Sequence, residues 1–248
     1  MQRVIVLVLL VVASFLSPAL AAGPGQLKIL TEQYPPFNYE EEGHVKGMVT
    51  ELVQAILNEL HIKDTIKVVP WARGYYLAQT EPNTCLFSMT LTPERKPLFK
   101  WAGPVATTEV ALVRLKKNQQ IQINQLEDVN NYKVGVIRSD IGEQLLMNNT
   151  LVDKSIIQPV DRTVLNIRKL MKGRIDLISY GWAPLLWEIK KNDMDPADFQ
   201  PAFILKKGQL FIAFHKETPD AVVQDFQKTL DKLKADGTYN RIVDSYLK

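Results

Sequence analysis

The segment Ser88-Met89-Thr90-Leu91-Thr92-Pro93-Glu94-Arg95 carries residue types suited to holding a charged small molecule. A strand over 86–89 would deliver the Ser88 and Thr90 hydroxyls to one side, because alternate residues of a strand share a face. Thr92-Pro93 then opens a turn or a helix. Arg95 follows, and a guanidinium fork matches the two oxygens of a carboxylate. A solvated arginine after a turn is the competing reading, and both stay open on these residues alone. Aromatic residues form a second group. Tyr34, Phe37, Trp71, Tyr75, Tyr180 and Trp182 fall in loops or just beyond expected strands. Each taken singly fits a core position, whereas several at strand ends together fit the wall of a cleft. Arg73 is either a second anion contact or a solvated side chain.

Catalytic chemistry has little to work with. His44, His61 and His215 lack metal-ligand spacing with one another or with other ligating residues, and all three are expected at the surface or the rim of a site. There is no GxSxG, P-loop or dinucleotide fingerprint, so neither a cofactor nor a metal is expected. Cys85 is the sole cysteine, which rules out an internal disulfide. Its apolar neighbours Leu86 and Phe87 favour a buried, inert thiol. A formal charge of +3 and 46% hydrophobic residues describe a globular chain and argue against nucleic acid as a partner.

The elements that must position these residues alternate in type. Strands are expected at 26–31, 65–69 and 86–89, with an amphipathic helix over 48–60. A second series has strands at 133–137, 156–160 and 175–179 and helices at 142–147, 164–171 and 182–190. This alternation implies βαβ units and largely parallel sheets. Segments 109–115 and 209–215 alternate apolar and polar residues and are long enough to run between two sheets. Thr218 is expected to cap a helix that begins at Pro219 and buries Val222, Val223, Phe226, Leu230 and Leu233. The chain then divides into a leader at 1–21, the first part of lobe 1 at 26–108, a crossing strand and lobe 2 at 109–211, and a return crossing with C-terminal helices on lobe 1 at 212–248. The leader has Arg3, an apolar run over 4–16 and the small-residue site Ala19-Leu20-Ala21. That is a cleaved secretory signal, too short to span a bilayer, which takes about 20 apolar residues. Cys85 is far from the cleavage site, so no lipid anchor is expected and the mature chain should be a soluble monomer outside the cytoplasm.

In order along the chain stand Tyr34-Pro35-Pro36-Phe37, Gly43 and Gly47 before the first helix, the Ser88 to Arg95 run, Val134-Gly135-Val136, Gly173-Arg174-Ile175-Asp176 and Ala235-Asp236-Gly237-Thr238-Tyr239. The ordered set resembles the polar-amino-acid family of periplasmic solute-binding proteins, receptors of ABC importers. The resemblance implies a two-lobed α/β fold of the periplasmic-binding-protein type II class, with two mixed sheets flanked by helices and a hinge of two crossing strands. It implies that Arg95 holds a ligand carboxylate, that Ser88 and Thr90 bond polar groups, and that Tyr34 and Trp71 cover the ligand side chain. It also implies that Arg138-Ser139-Asp140-Ile141-Gly142 presents backbone N–H groups to an anion.

Two positions depart from the family pattern. Gly181 stands where an Asp usually pairs with an α-amino group, and Asp140 stands where Ser or Thr is common. Asp140 either caps a helix, offset by neighbouring Arg138, or supplies the missing negative charge. Trp71, Tyr180 and Trp182 could instead cage a cation, or the ligand could lack an amine. The implied function is extracytoplasmic binding of an amino acid or a related small acid or amine. The partners left open are a membrane permease and a sensor kinase. A dehydratase-type enzyme on the same scaffold is the other alternative, with Asp140 as its candidate acid.

Overall fold

A computed structural model describes residues 27–63 and 65–247, so the leader lies outside the described residues. β1 (Lys28–Thr31) pairs in parallel with both β4 (Ile66–Val68) and β5 (Thr84–Thr90). β5 is buried at every position, as its near-continuous apolar run requires of a strand covered on both faces. A short hairpin of β2 (Tyr39–Glu41) and β3 (His44–Lys46) leads into α1 (Met48–Glu59), whose apolar stripe buries Val49, Leu52, Val53 and Ile56. Gly47 sets the entry to α1 at φ 116. A Cβ there would lie 2.5 Å from the Phe37 carbonyl oxygen, so only glycine lets the 37–38 loop sit against the helix start.

The second half repeats the scheme. β7 (Val134–Ile137) pairs in parallel with β8 (Ile157–Val160) and β9 (Leu177–Gly181). α3 (Ile141–Met147), α4 (Thr163–Met171) and α5 (Trp182–Lys191) cover these strands. The halves are joined by β6 (Lys100–Leu115) and β10 (Phe199–Phe214), which are antiparallel to each other. β10 also borders β5 and β6 also borders β9, so both half-sheets are mixed. Through this crossing pair they form one hydrogen-bonded ladder in the order β4-β1-β5-β10-β6-β9-β7-β8. The crossing strands are longer than their alternating parts suggested. Gly103-Pro104 and Pro201 interrupt the periodicity without ending the strands; register shifts at Leu210/Ile212 and Pro201/Phe203 absorb them, and a third falls at Ile204/Lys206.

Other local expectations shift. α2 (Trp71–Thr80) was not foreseen, because its buried side is only Trp71, Gly74 and Ala78 and shows no aliphatic stripe. Trp71 is therefore the first residue of a helix and not part of a loop. α6 (Asp220–Ala235) starts one residue late: Pro219 holds the N-cap position, and the Thr218 hydroxyl makes no capping bond. His215 is buried, with Nδ1 accepting the Glu217 N–H at 3.1 Å, and so is not a surface residue. Cys85 is buried in β5.

α6 and α7 (Thr238–Leu247) pack on α1, and α6 also lies on β6. Phe226 of α6 is fully buried and meets Phe214 edge-on at 5.1 Å. Phe226→Ala should lower stability by about 3–5 kcal/mol. A urea midpoint unchanged from the parent would show that α6 is not docked on β10.

Candidate functional site

β1, β4, β5, β7, β8 and β9 all end at the same cleft, and the loops beyond their carboxyl ends carry its side chains. This is where open α/β sheets place ligands. Beyond β1 come Glu32 and Tyr34, beyond β4 Trp71, and beyond β5 Thr92 and Arg95. From the other half come Ser139 and Asp140 beyond β7, Asp161 beyond β8, and Tyr180 at the end of β9.

Ser88 and Thr90 do not present hydroxyls by simple alternation. Phe87 and Met89 face consecutive residues Ile212 and Phe211, so Ser88 is the extra residue of a bulge. Ser88 has φ 64, an unfavourable region for a residue with a Cβ. Its buried hydroxyl has no hydrogen-bond partner among the described residues. Thr90 turns its carbonyl to Arg95 Nη1 at 3.3 Å.

Arg95 is 1% exposed and spans the cleft. Its Nε donates to Gln144 Oε1 at 2.9 Å and its Nη2 to the Ser139 carbonyl at 3.4 Å. The same carbonyl accepts from Trp71 Nε1 at 2.8 Å and from Gln144 Nε2 at 3.0 Å. Ser139 has φ 59, which aims this carbonyl at its three donors. The rings of Trp71 and Tyr75 lie 5.2 and 5.3 Å from the guanidinium carbon, within cation–π range.

Asp140 occupies the N-cap position of α3. Its carboxylate lies beside the Ile141 and Gly142 amides without a capping bond of normal geometry. The Ser139 N–H is taken by the Glu143 carboxylate. The loop therefore does not offer a row of vacant donors to an anion, as the resemblance implied, because the chain's own acids already stand there. Arg138 does not offset Asp140. It points outward to Asp161 at 3.2 Å, and the charge that opposes Asp140 is Arg95.

Tyr34 hydrogen-bonds Thr108 Oγ1 at 3.1 Å and meets Tyr180 edge-on at 5.5 Å. A Cβ on Gly181 would come within 2.2 Å of the Tyr34 hydroxyl, so that hydroxyl fills the space an acidic side chain would need. Trp71 and Tyr180 line one cavity of about 320 Å³. Trp182 does not join them as a cage wall. It starts α5 and lines a separate cavity with Phe37 and Thr108. Arg73 is exposed on α2 and takes no part in the contacts that close the cleft.

Glu32, Thr108, Glu143 and Gln144 were missed by the sequence reading. An acid placed directly after a buried strand was the available signal for Glu32. The other three depend on which segments meet. Among the described residues there is no cluster of ligating side chains able to hold a metal ion.

Burial pushes the Glu32 carboxyl well above its ordinary range. Asp140 adds to this and Arg95 opposes it. Asp140 is raised by burial against the pull of Arg95, and Tyr34 and Tyr180 beside them are raised by burial as well. A carboxyl raised in the folded state binds its proton more tightly there than in the unfolded chain. Its contribution to stability is full below the ordinary carboxylate range and is lost as pH rises through the folded value. The exposed acids Glu94, Asp128, Asp153 and Asp236 are lowered by hydrogen bonds and act only below the ordinary range. The thermal midpoint of the unliganded protein should therefore fall as pH rises above the ordinary carboxylate range, and Glu32→Gln should flatten that slope. An identical slope in the variant, measured by calorimetry, would place the titration elsewhere.

Residues 27–248 match the family described as bacterial extracellular solute-binding proteins, family 3. A probable amino-acid-binding protein of Bacillus subtilis (strain 168), YxeM, is 23% identical over 217 residues, which are 87% of this chain and 81% of the relative. An ancestral arginine-binding protein bound to arginine is 26% identical, with a TM-score of 0.76 over 90% of this chain and 98% of that one. A histidine kinase sensor domain with similarity to periplasmic binding proteins shares the fold at a TM-score of 0.80 and 17% identity, over 90% and 97% of the two chains. With the cleft at the carboxyl ends of two parallel strand sets and the family match running from the first described residue onward, the chain belongs to the bacterial extracellular solute-binding proteins, family 3.

Proposed function

We propose that the protein binds a small polar solute between its lobes outside the cytoplasm and delivers it to a membrane permease, without catalysing a reaction on it. The observation that carries this reading is the set of contacts closing the cleft. Arg95 and Trp71 of the first half converge on the Ser139 carbonyl and Gln144 of the second. Such contacts can form only when the lobes close and must break when they part, the behaviour of a hinged binding protein.

In this reading Tyr34, Trp71, Ser88, Thr90, Arg95, Ser139, Asp140 and Tyr180 form the site, and Arg138 and Trp182 stand at its edges. Lobe 1 takes in 26–108 and 212–248, and lobe 2 takes in 109–211. The leader is removed on export, and the mature chain acts as a monomer. The Bacillus subtilis relative's description as a probable amino-acid-binding protein supports a binder over an enzyme. Unpartnered Ser88 Oγ and Asp140 Oδ2 in the buried site support a role in contacting a ligand.

A thermal-shift screen against amino acids, amines and small organic acids tests the reading. A compound that raises the midpoint should also shrink the radius of gyration in small-angle X-ray scattering. Arg95→Ala should weaken that compound about a hundredfold, roughly 3 kcal/mol, because closure loses its central donor. Binding with no compaction would remove the cleft between the lobes as the site. Unchanged affinity in the variant would remove Arg95 from it.

A further inference from the structure

We propose that the cleft takes an organic cation without a carboxylate, a small diamine or guanidino-amine, whose positive group sits against Glu32. This rests on reading the cleft as a solute site and names the chemistry of the solute. The closed core holds Glu32, Asp140 and Arg95, which are 6%, 4% and 1% exposed. Two carboxyls face one guanidinium, so with all three ionised the core carries an excess negative charge. Buried charge without a partner is strongly unfavourable, and the excess must be met by a proton or by a cation.

Arg95 is not free to hold a ligand carboxylate. Three of its nitrogens already donate to Gln144, Thr90 and Ser139, and the Trp71 and Tyr75 rings lie within cation–π range. It does not line the 320 Å³ cavity. The carboxylates that oppose it belong to the chain itself, first Asp140 from the second lobe and then Glu32 from the first.

Glu32 is placed differently. It lines that cavity, and no hydrogen-bond donor among the described residues reaches its carboxylate. A nine-tenths buried carboxylate at the wall of a cavity, without a donor, is a counter-ion in want of a cation. Trp71 and Tyr180 share the wall, and aromatic faces attract ammonium and guanidinium groups. Asp161 and Glu188 line the same cavity, with Arg162 the one base among its lining residues. Asp161 is shared with Arg138, and Glu188, which also feels Lys191 of its own helix, is the acid that would face a second positive group. A volume of about 320 Å³ is at the small end of ligand sites, which run from roughly 300 to 1,000 Å³.

The test is calorimetric titration of the purified protein with three pairs that differ only by an α-carboxylate: putrescine and ornithine, cadaverine and lysine, agmatine and arginine. In at least one pair the amine should bind at least about tenfold tighter than its amino acid, because a carboxylate would enter beside acids with Arg95 out of reach. Glu32→Gln should weaken that amine at least about tenfold while leaving the unliganded thermal midpoint unchanged or higher, which separates lost binding from lost folding. Amino acids binding as tightly as their amines, or an unaffected Glu32→Gln, would overturn the inference and leave solute binding intact. So would midpoint shifts produced only by neutral or acidic compounds. Failure of every compound in both the screen and the titrations would sink both readings.

Discussion

Arg95 carries a charge into a space from which water is excluded, and the closed form of the protein depends on how that charge is met. Its hydrogen bonds run to a side chain and a carbonyl of the opposite lobe and to a carbonyl of its own. Its counter-charges come from both lobes, Glu32 on one side and Asp140 on the other. Desolvation alone would make such an ion unfavourable. Two acids and a set of oriented carbonyls make it tolerable, and only the closed arrangement brings all of them together.

The backbone is shaped around this arrangement. Ser88 and Ser139 both adopt positive φ values without being glycine. One sits in a bulge beside the centre of the first half-sheet, and the other directs the carbonyl on which Trp71, Arg95 and Gln144 converge. Unfavourable backbone of this kind persists only where surrounding packing holds it, and it gathers at functional sites. The packing here is ample, since β5 is buried along its whole length and β7 likewise.

Between the lobes, β6 and β10 pair along nearly their full length with three register shifts. Bulges bend a sheet and increase its local twist. A single ladder interrupted in this way carries one hydrogen-bonded sheet through both lobes and bends it at the shifts. The C-terminal helices return to α1, and the Tyr246 hydroxyl donates to Glu51 there. The chain's last helix thus holds the first lobe together from outside the cleft.

The periodicity of short-range patterns was enough to read the α/β alternation, the two crossings and most helices, because each depends on residues within a few positions of one another. α1, α4 and α5 lie where their patterns predicted. α2 escaped because its buried side is glycine, alanine and one tryptophan. Arg95, Trp71 and Tyr34 were legible as candidates from their types and their places after strands. What each of them does was not. Whether a guanidinium meets a ligand or the chain's own Asp140 depends on two loops 44 residues apart in sequence reaching one point. Glu32 became visible as a buried carboxylate at the wall of a cavity only once that cavity had been folded around it. Residue types and spacing determine which groups are available. The tertiary structure decides which of them are already satisfied, because satisfaction is a matter of distance and burial that no local pattern encodes.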